Sequence, residues 1–235
     1  MSRYLWCEDS RSGFQFWCAI FHELFPDVLV ETKKGNTGLR KAAGRIASDE
    51  NQYYIIMDSA VDNANVLREN RCLRDAVHGK DNVHIVSLHS FEFALLSFAF
   101  FEQWVFAEKD ELKENRKDLL QKRSLFVELL SDIGDREALR TFKVAFKDFG
   151  EKNSEQIAAK LLHEITRNTG FETDKAKLGE CFVVSCCEWA NRQSDDICGL
   201  DSIRLSSGEK AKLLVEHSVL KKAFERGGLI NDNGI

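Results

Sequence analysis

Residues 53–58 read Tyr53-Tyr54-Ile55-Ile56-Met57-Asp58, an unbroken apolar and aromatic run that closes on a carboxylate. A run of this kind, without polar alternation, is what a strand covered on both faces requires, and such strands belong to parallel sheets held between helices. Working outward, Tyr4-Leu5-Trp6-Cys7 is a similar run that ends in Glu8-Asp9, Val28-Leu29-Val30 is a shorter one, and Val83-His84-Ile85-Val86-Ser87-Leu88 is a fourth. Phe14, Trp17, Ile20, Phe21, Leu24 and Phe25 recur at three- and four-residue spacing and predict a helix that Pro26-Asp27 stops. A second helix is expected from Leu39 to Ser48, behind the loop Lys34-Gly35-Asn36-Thr37-Gly38, and a polar third from Asn63 to Val77. Strand and helix alternate over short connections. The expected fold class is therefore α/β, with a Rossmann-like, mostly parallel four-stranded sheet and right-handed crossovers.

Beyond Leu88 the strand signal fades. Ser90–Phe106, Asp110–Leu130, Asp135–Phe149, Ser154–Asn168 and Ser206–Glu225 carry helical spacing, with Gly227-Gly228 as the final stop. This places an α/β domain over 1–108 and a helical C-terminal region over 109–235. The longest apolar run, Phe93 to Phe101, lies between Glu92 and Glu102, too short for a membrane span, and reads as a buried helix.

Composition narrows the class. With 235 residues, 43% of them hydrophobic, and one proline, the chain can bury a sizeable core and is not disordered. A net charge of −5 supplies no global basic field for nucleic acid, so any such contact must come from a local patch. The basic run from Lys113 to Arg123 is interspersed with acids and reads as a solvated helix face. Met1-Ser2-Arg3-Tyr4 lacks a secretory pattern, and a cytoplasmic location with reduced thiols is the expectation. Cys181, Cys186, Cys187 and Cys198 equal a structural zinc set in number, but the adjacent pair argues against that spacing and for small buried apolar residues. Of six histidines only His89 follows a strand at the edge of interest, as a helix-start donor or a participant in chemistry.

The carboxylates carry the functional signal. In open α/β sheets, sites form in the crevice at the carboxyl ends of the strands, and Glu8 and Asp58 close two of them, with Asp62 just beyond the second. Carboxylates converging there suit Mg²⁺, and Mg²⁺ suits phosphate esters. Lys33, Lys34 and the glycine loop after the second strand, with Arg40, are the candidate substrate contacts; the glycine spacing is not that of a Walker motif.

This arrangement resembles a TOPRIM domain over roughly residues 3–90. Glu8 falls on the family's glutamate after the first strand and Asp58 on the first aspartate of its Asp-x-Asp; Ala60 stands in the second position, and Asp62 is the next acid. Ser90-Phe91-Glu92-Phe93-Ala94-Leu95-Leu96 is similar to a segment of the ATPase-associated TOPRIM nucleases of prokaryotic defence systems, the OLD-like proteins and PARIS nuclease subunits. The resemblance implies a hydrolase that cleaves DNA or RNA with Mg²⁺ or Mn²⁺, with Glu8, Asp58 and Glu92 catalytic and Glu8, Asp58 and Asp62 binding metal. It further implies a toxin-like effector in antiviral defence, restrained by a partner ATPase, with no membrane association and with homo-oligomerisation left open. Two other readings stand beside it: a catalytically degenerate regulatory subunit, and a nucleotide-binding or nucleotide-processing protein that uses the same crevice.

Overall fold

A computed structural model of the chain describes residues 1–107, 111–131, 135–169, 171, 180–183 and 199–231. Four strands, β1 (Arg3–Cys7), β2 (Val28–Thr32), β3 (Gln52–Asp58) and β4 (Val83–Leu88), form one sheet in the order β2-β1-β3-β4. Every neighbouring pair is parallel, with Leu5 opposite Val30 and Tyr54, and Ile55 opposite Ile85. The three crossovers are α1 (Ser12–Leu24), α2 (Asn36–Gly44) and α3 (Ala64–Val77). The fold is thus α/β with an all-parallel sheet, as the apolar runs predict.

The alternation of each strand sorts its side chains onto two faces. Trp6, Ile55 and Met57 meet Leu39, Ala43, Leu73 and Val77 of α2 and α3. Leu5, Cys7, Tyr54, Ile56 and Val86 meet Phe16, Trp17, Ile20 and Phe21 of α1 on the other. That second core does not end with the α/β unit. It continues without interruption to Phe126, Phe142, Leu161 and Phe224, so the helices that follow β4 share the interior of the sheet.

These helices are α4 (Phe91–Leu96), α5 (Phe101–Val105), α6 (Glu111–Asn115), α7 (Lys117–Leu130), α8 (Arg136–Ala145), α9 (Ser154–Thr166), α10 (Glu180–Val183), α11 (Leu200–Ile203), α12 (Ser207–Glu216) and α13 (Val219–Arg226). α9 packs on α4, α12 on α1, and α13 returns to cover β4. The junction between residues 108 and 109 falls in 108–110, outside the described residues, as do Cys186, Cys187 and Cys198; Cys181 is buried. Among the described residues no helix is long and apolar enough to cross a membrane.

Four long helices expected from periodicity are broken: the stretch from Asp135 to Phe149 divides at Phe146 into α8 and a 3-10 turn at Lys147–Phe149, and tertiary hydrogen bonds explain the other three breaks. The stretch from Ser90 to Phe106 divides at 97–100, and the stretch from Ser206 to Glu225 divides at His217-Ser218. The two breaks meet: the Ala99 amide donates to the His217 carbonyl at 2.8 Å, and the Val219 amide to Ser97 Oγ at 3.1 Å. Each break satisfies backbone groups that the other exposes. The third, between α6 and α7, falls at Arg116, whose guanidinium turns inward to donate to the carbonyls of Ile165 and Arg167 at the end of α9.

Arg123 does the same for α4, donating to the carbonyls of Leu96 and Phe98, each at 2.8 Å, with its guanidinium over the Phe101 ring. Burial holds its pKa down to about 10. The reading of residues 113–123 as a solvated face is therefore corrected for Arg116 and Arg123, both of which are buried. A charged side chain can occupy an apolar interior where frayed helix ends offer carbonyls that nothing else satisfies. Replacing Arg123 with Met removes both donors and should lower the unfolding free energy by about 2–4 kcal/mol, while Lys117→Met on the solvent face should change it by less than about 0.5 kcal/mol. Urea denaturation of the two variants checks this, and equal small effects would contradict the capping role.

Candidate functional site

In the order β2-β1-β3-β4, the chain moves from β1 to β2 on one side and is then carried by α2 back past β1 to β3 on the other. The switch point of this sheet lies between β1 and β3, and in open parallel sheets the carboxyl ends of the strands at that point are where sites form. Glu8 and Asp9 follow β1 directly and Asp58 is the last residue of β3, so the topology sets three carboxylates around that point. Glu92 enters from the second position of α4, whose start is fixed by Ser90 Oγ accepting the Phe93 amide.

Glu155 is the fifth acid, and it comes from the helical region. It occupies the second position of α9, behind an Asn153–Gln156 capping box, and its carboxylate accepts a hydrogen bond from Asn63 Nδ2 at 2.6 Å. The capping box is readable in the sequence as a helix start, but nothing local says that this start is aimed at the end of β3. The packing of α9 on α4 does that.

The electrostatics express the crowding. Asp58 is half-buried, and desolvation first, then the charges of Glu8, Asp9, Glu155 and Glu92, hold its pKa well above the ordinary aspartate value. Glu8 is raised to about 7 by burial and by Asp9 and Glu155, against a hydrogen bond from Asn36 that works the other way. Glu92 and Glu155 are raised too, in both cases mainly by burial. Asp9 is anchored by the indole Nε1–H of Trp17 at 3.0 Å, and a Cβ at position 13 would lie 2.4 Å from its Oδ1, so Gly13 is what lets this carboxylate rest on the first turn of α1. Among the described residues no lysine or arginine forms an ion pair with any of the five.

Glu8, Asp58 and Glu92 are thus brought into one electrostatic neighbourhood, and Asp62 is turned away from it. The helix after β3 begins at Ala64, so residues 59–63 form a loop and Asp62 does not share a helical face with Asp58. Its carboxylate accepts the Ser154 amide and Ser154 Oγ and pairs with Lys143 Nζ at 3.0 Å, partners that hold its pKa low despite partial burial. Its work is to seat the N-terminus of α9, and so to place Glu155.

The loop after β2 is stitched to β1. Lys33 donates its amide to the Cys7 carbonyl and Gly35 to the Glu8 carbonyl, both at 2.8 Å, while a Cβ at position 38 would strike the Lys33 carbonyl. The Lys33 ammonium pairs with Glu31 and lies over the Trp6 ring at 3.9 Å, and Arg40 pairs with Glu69 of α3 at 3.3 Å. Lys34 adopts a left-handed backbone conformation and has no ion-pair partner among the described residues. The helix starts earlier than the sequence predicts, and Asn36, the first residue of α2, is hydrogen-bonded to Glu8. His89 is buried, its ring tilted against Phe93 with centroids 5.0 Å apart, and its ring nitrogens find no partner side chain; burial lowers its pKa to about 4, which keeps it neutral.

Among the described residues no three or more His, Cys, Asp or Glu side chains are gathered as a ready cage for a metal. The donor set nonetheless fits Mg²⁺: it is all carboxylate oxygen, and Mg²⁺ keeps most of its waters and takes only one or two carboxylates directly. Compared with family models, with curated proteins and with solved structures, the chain matches none.

A carboxyl whose pKa is higher in the folded chain than in the unfolded one binds its proton more tightly when folded. Glu8 therefore favours the folded state at acid pH, and that contribution is lost as the pH rises from about 4.5 through about 7. His89 acts in the opposite sense between about 4 and 6.5, so the whole-protein curve is flattened. The difference between wild type and Glu8→Gln removes the His89 contribution and reports Glu8 together with its effect on Asp58. The metal-free Gln variant should gain on wild type as the pH rises through this window, by roughly 3 kcal/mol relative to their difference at acid pH; a difference independent of pH would count against the crowding.

Proposed function

We propose that this chain is a TOPRIM-like, divalent-cation-dependent nuclease that hydrolyses phosphodiester bonds of DNA or RNA. The observation that carries the reading is the placement of Glu8, Asp58, Glu92 and Glu155 about the switch point of a parallel sheet, near enough for the charges of the other three to raise the pKa of Asp58. Acids in this state hold their protons until a positive charge arrives, a property that a cation site requires. Glu8 and Asp58 would hold Mg²⁺, or Mn²⁺ in its place, through carboxylate oxygen. When bound, the cation supplies a positive charge next to the scissile phosphate. Glu92 and Glu155 would hold the attacking water by hydrogen bonds and accept its proton on a carboxylate oxygen. Asn36 and Asn63 keep Glu8 and Glu155 in position. An effector role in prokaryotic defence under a partner ATPase is the setting that the family resemblance implies.

A second reading is favoured by one observation. Ala60, in the place of the second aspartate, is fully buried, and Asp62 is engaged with Ser154 and Lys143, so the acidic pair after β3 is reduced to Asp58. A regulatory subunit that has lost its chemistry would show this pattern.

Cleavage of a panel of DNA and RNA by the purified chain separates the two. The nuclease reading expects cleavage with Mg²⁺ or Mn²⁺, none in EDTA, and a loss of at least about a hundredfold in Glu8→Gln and Asp58→Asn with folding intact. Folded wild-type protein that cleaves nothing with either cation sinks the nuclease and leaves the regulatory subunit.

A further inference from the structure

Beside the acidic crevice lies a pocket of about 450 Å³, walled by Val61, Ala64 and Leu67 on the β3–α3 side and by Leu139 on α8. Its charge is opposite to that of the crevice. Arg136, Arg140 and Lys143 line it at spacings of four and three, on one face of α8, and Arg71 lies one turn beyond Leu67 on the facing side of α3. Lys143 is paired with Asp62, but Arg136, Arg140 and Arg71 are exposed and have no ion-pair partner among the described residues.

The position of Arg136 is informative. It sits in the first turn of α8, where the helix dipole disfavours a cation, and the turn is already capped by Asp135, which accepts the amides of Glu137 and Ala138. The arginine therefore does not serve the stability of α8. Together with Arg140 it gives two forked donors on the rim of a cleft with an apolar floor, a combination suited to a phosphate above a sugar or base. The pocket also joins the crevice through the chain itself: Asp62 in its wall is bonded to Ser154, and the next residue, Glu155, is a carboxylate of the site.

We infer that this pocket binds the sugar-phosphate backbone of a single nucleic-acid strand, through Arg136 and Arg140, and leads that strand to the carboxylates. The inference rests on the nuclease reading for what happens at the crevice, but the binding it describes does not need catalysis. It also supplies what the acidic composition lacks, a local cationic patch next to an acidic centre that would otherwise repel phosphate.

The test is fluorescence anisotropy of labelled single-stranded DNA and RNA oligonucleotides with the full chain in EDTA, where no cleavage occurs. Arg136→Glu/Arg140→Glu should weaken binding at least tenfold and reduce the salt slope by about 1.4, for two lost phosphate contacts on a single strand. Lys117→Glu/Lys221→Glu makes the same charge change away from the pocket and should keep most of the affinity. Arg136→Gln/Arg140→Gln, which reverses no charge, should fall between, and thermal midpoints near wild type confirm that the variants fold. The inference is overturned if wild type binds neither oligonucleotide, if both Glu pairs weaken binding equally, or if poly-glutamate displaces the probe as well as unlabelled oligonucleotide does, which would indicate an acidic peptide. Arginine-dependent binding without cleavage in Mg²⁺ leaves this site standing and counts against the nuclease alone.

Discussion

The repulsion among half-buried carboxylates at the end of β1 and β3 is the constraint around which this molecule is organised. Left alone, Glu8, Asp9 and Asp58 would move apart or turn to water. They cannot, because the register that sets Trp6 opposite Ile55 also fixes how far each strand runs before its carboxylate, and both strands are clamped between two apolar faces. Stability from those faces holds the acids in a place they would not choose. Functional sites commonly carry such a local conflict, compensated by the surrounding fold.

The helical region then reads as support for the site. α9 packs on α4, and these two helices deliver Glu155 and Glu92. Both are held by polar groups that an apolar bundle would not need: Asp62 seats the start of α9, Arg116 caps its end, and Arg123 caps the end of α4. Asp62 is thus next to the carboxylate cluster and engaged elsewhere. Its ligand-like sequence position and its structural work are reconciled by the Ser154 contact, which fixes Glu155.

The strands and their crossovers were legible because a buried parallel strand needs a continuous apolar run, and few other structures do. Glu8 and Asp58 were legible for the same reason: each stands where such a run stops. Glu155 was not, since only the docking of α9 on α4 brings it to β3, and sequence spacing has no bearing on that. Arg116 and Arg123 were hidden for a different reason. An arginine among glutamates and lysines has the pattern of a solvated face, and only the frayed ends of α4 and α9 make the interior the better place for it. The breaks at 97–100 and 217–218 were illegible because local propensity runs straight through them and the hydrogen bonds that create them join distant segments.

The central claim is that these acids hold protons in the metal-free chain which a divalent cation displaces. Calorimetric titration of Mn²⁺ into the chain at a pH just below 7, in two buffers of different ionisation enthalpy, measures that displacement directly. The account predicts saturable binding with release of about one proton or more per cation, a release that falls in Glu8→Gln and in Asp58→Asn. Binding without proton release, or binding that neither substitution alters, would contradict it.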